Sequence, residues 1–364
     1  GFVTGLDISS DGSRMIHWAD VFNGYIRNAN EPAWNLILRD DTLDKAEYNP
    51  RPKTATTDSG IFSGRIAPSN KDVIYVSWNG FIFKSTNAGA KFTRTALPAK
   101  RMESNMGGQR RFNRTLDVHS ADPDRVIVGT NNDGVHYTLD GGATWKSIGI
   151  PTAAQTFGSE SKYLVGFGPG EQVYIHVPGL GVFRSTTGLA GQFQNIGGPM
   201  SASCLVITPK GTVYICQYRT SGITDADALK RWDGNSWTSL PASPDQVAVD
   251  PFNENHIFAI GENLLGILPY IRRSLDGGKT WTTHKFTRGT GEVAWLSNRD
   301  KASFPAHILF DPVVPGKLWM ADGVGVSWSM VPEPGEVWTL HDFSNGNAEL
   351  IPNMTVSVPN NPPI

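Results

Sequence analysis

Cysteine is nearly absent from this chain of 364 residues: Cys204 and Cys216 are the only two. No Cys-x-x-Cys or His-Glu-x-x-His pattern accompanies them, so no structural zinc site, and no metal or cofactor of any kind, is expected. No apolar run approaches the ~18–20 residues that cross a bilayer, which excludes a membrane-spanning helix as an expectation. Charge of one sign is not in surplus either. Lys+Arg number 32 against 34 Asp+Glu, a net of −2, whereas a general nucleic-acid binder needs excess cations for its phosphate contacts. Helical periodicity longer than two turns is missing. So is a secretory leader, and the chain opens at Gly1 instead of a methionine, as expected for the product of a longer or processed precursor. Phosphate loops, dinucleotide fingerprints and Ser-His-Asp spacings do not stand out.

The chain is rich in turn formers, with 39 Gly and 24 Pro, and only 18% of it is charged. That composition, with 10% aromatics, describes a folded and heavily punctuated chain and not a disordered one. Its length exceeds the ~250–300 residues at which one core stops growing, so two domains or one large repeat architecture is expected. A short pattern does recur. It reads Ser85-Thr-Asn-Ala-Gly-Ala-Lys-Phe92, Thr138-Leu-Asp-Gly-Gly-Ala-Thr-Trp145 and Ser274-Leu-Asp-Gly-Gly-Lys-Thr-Trp281, with a degenerate copy from Ser185 to Phe193 and a shortened one from Trp232 to Trp237. It resembles the Asp-box of sialidase-like propellers. Its logic is that of a hairpin turn: the Asp side chain ties down backbone N–H groups, Gly supplies positive φ, and the aromatic plugs the blade edge. Because Asn87 fills the acidic place once, Asp140 and Asp276 read as turn residues and not as catalytic acids.

Seven closing aromatics can be followed along the chain, Trp34, Phe92, Trp145, Phe193, Trp237, Trp281 and Trp338, spaced 44 to 58 residues apart. That interval suits a four-stranded blade. Most are preceded by a pair of β-rich runs, such as Asp72-Val-Ile-Tyr-Val-Ser77 with Gly80-Phe-Ile-Phe83. The expected fold is therefore an all-β, seven-bladed β-propeller occupying 1–364 as a single domain, its two ends sharing a blade. The alternative is that it forms half of a two-propeller protein. Segments 40–58, 97–112 and 300–305 read as insertions on the propeller faces, where function collects. Cys204 and Cys216 flank a hairpin turn at Pro209-Lys-Gly-Thr212. A two-residue loop there would pair Cys204 with Gln217 and aim the two thiols at opposite faces, so two free thiols are expected unless the loop is longer.

The opening segments carry a more specific likeness. Gly1-Phe-Val-Thr-Gly5, then Ile16-His-Trp-Ala-Asp20-Val-Phe-Asn-Gly24-Tyr25, resemble the start of glycoside hydrolase family 74, the xyloglucanases and related endo-β-1,4-glucanases. The likeness continues through Phe83-Lys-Ser-Thr86, Asn105-Met-Gly-Gly108, Arg114-Thr-Leu-Asp-Val118 with Asp122-Pro123, Val247-Ala-Val-Asp-Pro251, Phe310-Asp-Pro312 and Leu318-Trp-Met320. The resemblance implies that Asp20 is the catalytic base. It also implies an acid five residues before the Asp of a later Asp-Pro pair, but five before Asp311-Pro312 stands Ala306. Asp245 stands five before Asp250-Pro251, in a stretch that matches a blade without a catalytic Asp. Members of that family are about twice this length, two propellers clasping a glycan between them. A second copy of this chain, as a homo-oligomer, or a second propeller would then supply the opposite wall of the cleft.

Inverting hydrolysis needs two carboxyls ~6.5–9.5 Å apart. Asp20 is the base candidate and Asp300 the first candidate for a displaced acid, followed by Glu292, Asp322 and Glu349; an acid that keeps its proton needs apolar neighbours. Trp18, Trp78 and Trp295 are candidate platforms for the apolar faces of sugars. A second chemistry is β-elimination on a uronate-containing glycan, as in exopolysaccharide depolymerases. Lys100, Arg101, Arg110, Arg111 and Arg114 cluster within fifteen residues and would hold the sugar carboxylates. His17, Tyr25, His119 and His307 are base or acid candidates for it. Sialidase chemistry is disfavoured, since Ser63-Gly-Arg65-Ile-Ala-Pro68 has an insertion where that family's Arg-Ile-Pro would stand. The expected function is an extracellular or phage-particle-associated, endo-acting glycoside hydrolase on a β-linked polysaccharide. A lyase is second and a non-catalytic glycan-binding propeller third.

Overall fold

The computed structural model describes residues 2–20, 23–48, 60–102, 114–131, 133–151, 162–217, 228–261, 270–293, 306–323, 325–333 and 336–347. These form twenty-nine strands and one 3-10 turn, Lys45–Tyr48. The strands group into seven sheets of consecutive antiparallel strands, six of them four-stranded. The last gains a fifth strand, Phe286–Arg288, parallel to Trp338–Asp342 on its outer edge. The first strands of successive sheets are Val3–Ile8, Ile61–Ile66, Leu116–Val118, Leu164–Phe167, Cys204–Ile207, Gln246–Asp250 and His307–Phe310. Each neighbours the next, and the last returns to the first. The protein is a seven-bladed β-propeller with these strands around its axis.

Burial follows from that arrangement. Second strands lie between neighbouring blades, so Val126–Gly129 and Val173–Val177 are buried at every position and lack polar alternation. Outer strands are short and exposed, as in Asn35–Leu36, Thr93–Arg94, Lys146–Ser147 and Gln194–Asn195, which limits pairing with foreign edges. All seven closing aromatics stand where such a strand begins. Trp34, Phe92, Trp145, Phe193 and Trp281 immediately precede one, while Trp237 and Trp338 open Trp237–Leu240 and Trp338–Asp342. Each side chain turns back into the seam with the preceding blade. Phe92 joins Ile16 and Ile26 of blade 1, and Trp338 joins Phe258 and Ile271 of blade 6.

The turns before these aromatics have the expected chemistry. Thr138 Oγ1 donates to Asp140 Oδ1 at 2.7 Å and accepts the Gly142 N–H at 2.9 Å, while Asp140 Oδ1 accepts the Thr144 N–H at 2.8 Å. Ser274, Asp276, Gly278 and Thr280 repeat this at 2.8, 2.8 and 2.9 Å. Asn87 does the same with Ser85 and the Lys91 N–H. The position requires an acceptor oxygen, not a charge.

Two expectations are corrected. Cys204 and Cys216 form a disulfide. The turn holds three residues, Pro209 to Gly211, because the Thr208 N–H bonds to Thr212 O at 2.9 Å and Ile207 pairs with Val213. Gly211, at φ 88°, supplies the left-handed residue of a three-residue loop. One extra residue shifts every pairing, so Cys204 lies opposite Cys216 with Cα atoms 4.9 Å apart.

Nor, among the described residues, do the ends share a blade: blade 1 is built there from Val3–Ile8, Arg14–Ala19, Gly24–Asn28 and Asn35–Leu36. Side-chain packing and one backbone bond close the ring instead. Trp34, Val3 and Tyr25 pack with Trp319, Ala321 and Val326 of blade 7. The Trp34 indole N–H donates to Phe343 O at 2.6 Å and its backbone N–H to Asn345 O at 2.8 Å. Arg27 holds Glu292 through two bonds of 2.7 and 2.6 Å, its guanidinium 3.7 Å from the centre of the Phe343 ring.

Candidate functional site

In every blade the inner strand runs down the axis and the second strand returns. Connections from second to third strand therefore share a face with connections from one blade to the next. Asp20 follows Arg14–Ala19 onto this face, and the long connections 37–60, 95–115 and 289–306 begin and end there. The opposite face carries tighter inner hairpin turns, including 9–13 and 119–125. Long connections on a rigid ring are where binding chemistry is expected.

Asp20 is fully buried. Its Oδ1 accepts the Phe2 N–H at 2.7 Å, and its own N–H donates to Phe2 O at 2.9 Å. Gly60, entering blade 2, passes so close that a Cβ there would meet Asp20 O at 2.2 Å, so only glycine fits. Two strand ends and a blade junction thus fix the backbone of this residue, and the Phe2 N–H holds its carboxylate. Trp18 is 7% exposed and lies over Gly5, where a Cβ would fall 2.1 Å from the ring. Tyr25, 2% exposed, stacks on His17 at 4.7 Å. Both rings are core side chains in this structure, and Trp18 also lines the axial cavity. Trp78 is half-buried beside a two-residue hairpin turn, Asn79 at φ 51° and Gly80 at φ 82°, 5.9 Å from the Phe83 ring; it is the candidate platform of this face among the described residues. Arg110, Arg111, Trp295, Asp300 and Glu349 lie outside the described residues.

Ala306, where the resemblance would place an acid, opens the inner strand of blade 7 on this face, its N–H on Ala321 O at 2.9 Å. Of the alternatives, Glu292 is held by Arg27, and Asp322 is buried against Arg288 at 2.9 Å. Both carboxylates are thus paired with arginines. The Asp residues of the Asp-Pro pairs are turn caps on the opposite face: Asp311 Oδ1 accepts the Val313 and Val314 N–H groups at 2.9 Å each, and Asp250 Oδ1 that of Phe252 at 2.9 Å. Of the lyase candidates, Lys100 and Arg101 lie on this face in connection 95–115, the Lys100 N–H on Gly80 O at 2.9 Å, and the other described ones disperse. His17 is buried, with burial pushing its pKa down to about 3. His119 accepts the Ala121 N–H and reaches Gly170 O, both in turns of the opposite face. Arg114 and His307 point into the axis.

That axial group was not legible as a unit. Arg65 bridges Asp7 and Asp117, bonding to Asp7 Oδ1 and, at 2.8 Å, to Asp117 Oδ1. Asp7 Oδ2 takes the Ile66 N–H at 2.8 Å and Asp117 Oδ2 the Phe167 N–H at 2.9 Å. Burial raises the Asp7 pKa against the pull of Arg65. At Asp117 burial acts the same way, but Arg65 and Arg114 outweigh it and the net shift is down. His307 accepts the Leu6 N–H at Nδ1, 3.1 Å, and burial plus the Arg114 and Arg65 charges push its pKa down to about 3. The signal was available: one charged residue in each of Val3–Ile8, Ile61–Ile66 and Leu116–Val118, strands that are otherwise largely apolar.

No family model matches the chain. A curated xyloglucanase of Acetivibrio thermocellus is 24% identical over 320 residues, covering 77% of this chain and 38% of that protein. Among solved structures, the glycoside hydrolase family 74 xyloglucanase of Xanthomonas campestris superposes with a TM-score of 0.76 at 19% identity, covering 95% of this chain and 55% of that one. The family 74 enzyme of Niastella koreensis gives 0.73 at 20%, covering 94% and 54%. The resemblance to family 74 propellers is thus borne out in the fold. The chain spans about half the length of those solved structures and less of the curated relative.

Proposed function

We propose that this propeller is an extracellular glycoside hydrolase that cleaves a β-linked, glucan-type polysaccharide internally, with Asp20 as general base. The observation that carries the reading is the placement of Asp20. The one residue that the family resemblance singles out as a base stands at the end of a core strand, on the face where the long connections start and finish, fixed by Phe2 and Gly60. A base must be held in place before it can be useful. The Phe2 N–H engages one carboxylate oxygen. Because the carboxylate is enclosed, glycan binding has to open this end of blade 1 to admit the attacking water. Trp78 would stack against sugar rings on the same face, Trp295 is a further candidate platform, and a second propeller or a second copy of the chain would form the opposite wall.

Hydrolysis is favoured over elimination because the base and acid candidates for a lyase do not come together: His17 and Tyr25 are buried in blade 1, His119 lies on the opposite face and His307 lines the axis. The test is a digest of neutral β-glucans and uronate-containing polysaccharides, read for reducing ends and for the ultraviolet absorbance of unsaturated uronates. Reducing ends without absorbance are expected, falling by about 10²–10⁴-fold in Asp20→Asn with the thermal midpoint preserved. Full activity in Asp20→Asn would remove Asp20 from the mechanism. Absorbance on an acidic polymer would establish the lyase, and binding with neither signal a non-catalytic propeller.

A further inference from the structure

The axial cavity holds about 260 Å³ and is divided in character. One wall is the charged cluster of blades 1 to 3; the other is apolar, with Val206, Val247, Val249 and Leu309. Pro209, Pro251 and Pro312 also line it, so it reaches the face opposite Asp20. Within the cluster, acceptors are committed. Asp117 Oδ1 serves Arg65 and the Val118 N–H at 2.8 and 3.0 Å, and Oδ2 serves the Phe167 N–H. Asp7 serves Arg65 and the Ile66 N–H. Arg114 is left with Asp117 Oδ2 at 3.6 Å, beyond hydrogen-bond reach. It is held in this position by a left-handed backbone, φ 55°, which a non-glycine residue adopts at a cost. A guanidinium brings five donors in a flat fork that suits a carboxylate. Here it looks across a cavity at an aliphatic wall. His307, with Nδ1 occupied by Leu6, turns its other nitrogen into the same neighbourhood as a donor.

We propose that this axial cavity binds a small organic carboxylate, its two oxygens on Arg114 and its hydrocarbon part against Val206, Val249 and Leu309. This site lies on the propeller axis, Asp20 is not part of its lining, and it does not depend on the hydrolase reading. Asp7 and Asp117 spend their oxygens on Arg65 and on backbone N–H groups, which leaves the Arg114 donors as the polar groups of the cavity with capacity for an anion. The volume admits a chain of several carbons but not a sugar polymer.

The test is calorimetric titration of the protein at pH 7 with acetate, hexanoate, hexanamide and chloride. Hexanoate is expected to saturate one site, at least tenfold tighter than acetate and tenfold tighter than hexanamide, with chloride weaker still. Arg114→Gln should weaken hexanoate at least tenfold. Val249→Phe, which fills the apolar side and leaves the charges alone, should weaken hexanoate more than acetate and keeps the question answerable if the Arg114 variant does not fold. Binding by Asp20→Asn should match the parent. The proposal is overturned if no carboxylate saturates, if hexanamide binds as well as hexanoate, or if chain length makes no difference.

Discussion

Asp140 and Asp276 each accept a hydroxyl from two residues upstream and another from four residues downstream, together with a backbone N–H. Those bonds, the downstream Thr hydroxyl first, hold both carboxyls down at about 2. A depressed folded pKa contributes stability that is complete above the ordinary value near 4 and is lost as pH falls toward 2. Asn87 shows that the amide keeps the geometry. The double variant Asp140→Asn, Asp276→Asn should therefore unfold at lower urea than the parent at pH 6, with the gap closing between pH 4 and 2. A gap independent of pH would show that the charge is idle. The buried Ser274 hydroxyl accepts the Gly278 N–H, so Ser274→Ala should cost about 1–2 kcal/mol in denaturant unfolding. Burial pushes His17, His176 and His307 down to about 3, 4 and 3. Here the unfolded chain binds protons first, so stability should fall as pH drops below about 6.5, by up to ~1.4 kcal/mol per pH unit for each; His176→Gln should make that slope shallower. Turn residues such as Asp140 were legible because their chemistry is local. The pairing of Arg65 with Asp7 and Asp117 was not, since it joins three blades.

At the scale of elements, strand existence and order were legible wherever apolar runs met a turn with fixed chemistry, as at Asn79-Gly80. Register was not. The difference between a two- and a three-residue loop at 209–211 decides whether two cysteines diverge or join, and a Pro-Lys-Gly-Thr string permits both. The disulfide closes a short loop of sequence separation 12 between adjacent strands, so replacing both cysteines by alanine should lower stability by about 2–3 kcal/mol in denaturant unfolding. Both sulfurs are fully buried, so reductant should act on the folded protein only as fast as blade 5 opens, visible as a reduction rate that rises with sub-denaturing urea.

For the molecule as a whole, periodic aromatics made the number of blades readable, while the manner of ring closure was not encoded in any repeat. Because the seam of blades 1 and 7 rests largely on side chains, Trp34→Ala should cost about 3–5 kcal/mol and more than the same change at half-buried Trp281; equal losses would mean that the seam is no weaker than the others. The Asp20 face was legible only through resemblance, since its position depends on which way each blade's second strand ends. The closure has a consequence for how the chain reaches its native state. Every blade is one contiguous stretch of sequence, so blades can form one after another as the chain emerges, each covering the apolar flank of its predecessor. The flank of blade 1 that carries Val3, Tyr25 and Trp34 is different: its partners, Trp319 to Phe343, are made some three hundred residues later. Until then a growing arc displays one greasy end, and ring completion is the most non-local step of its assembly. Protection of the Trp34 amide against hydrogen exchange should accordingly be the last to appear during refolding.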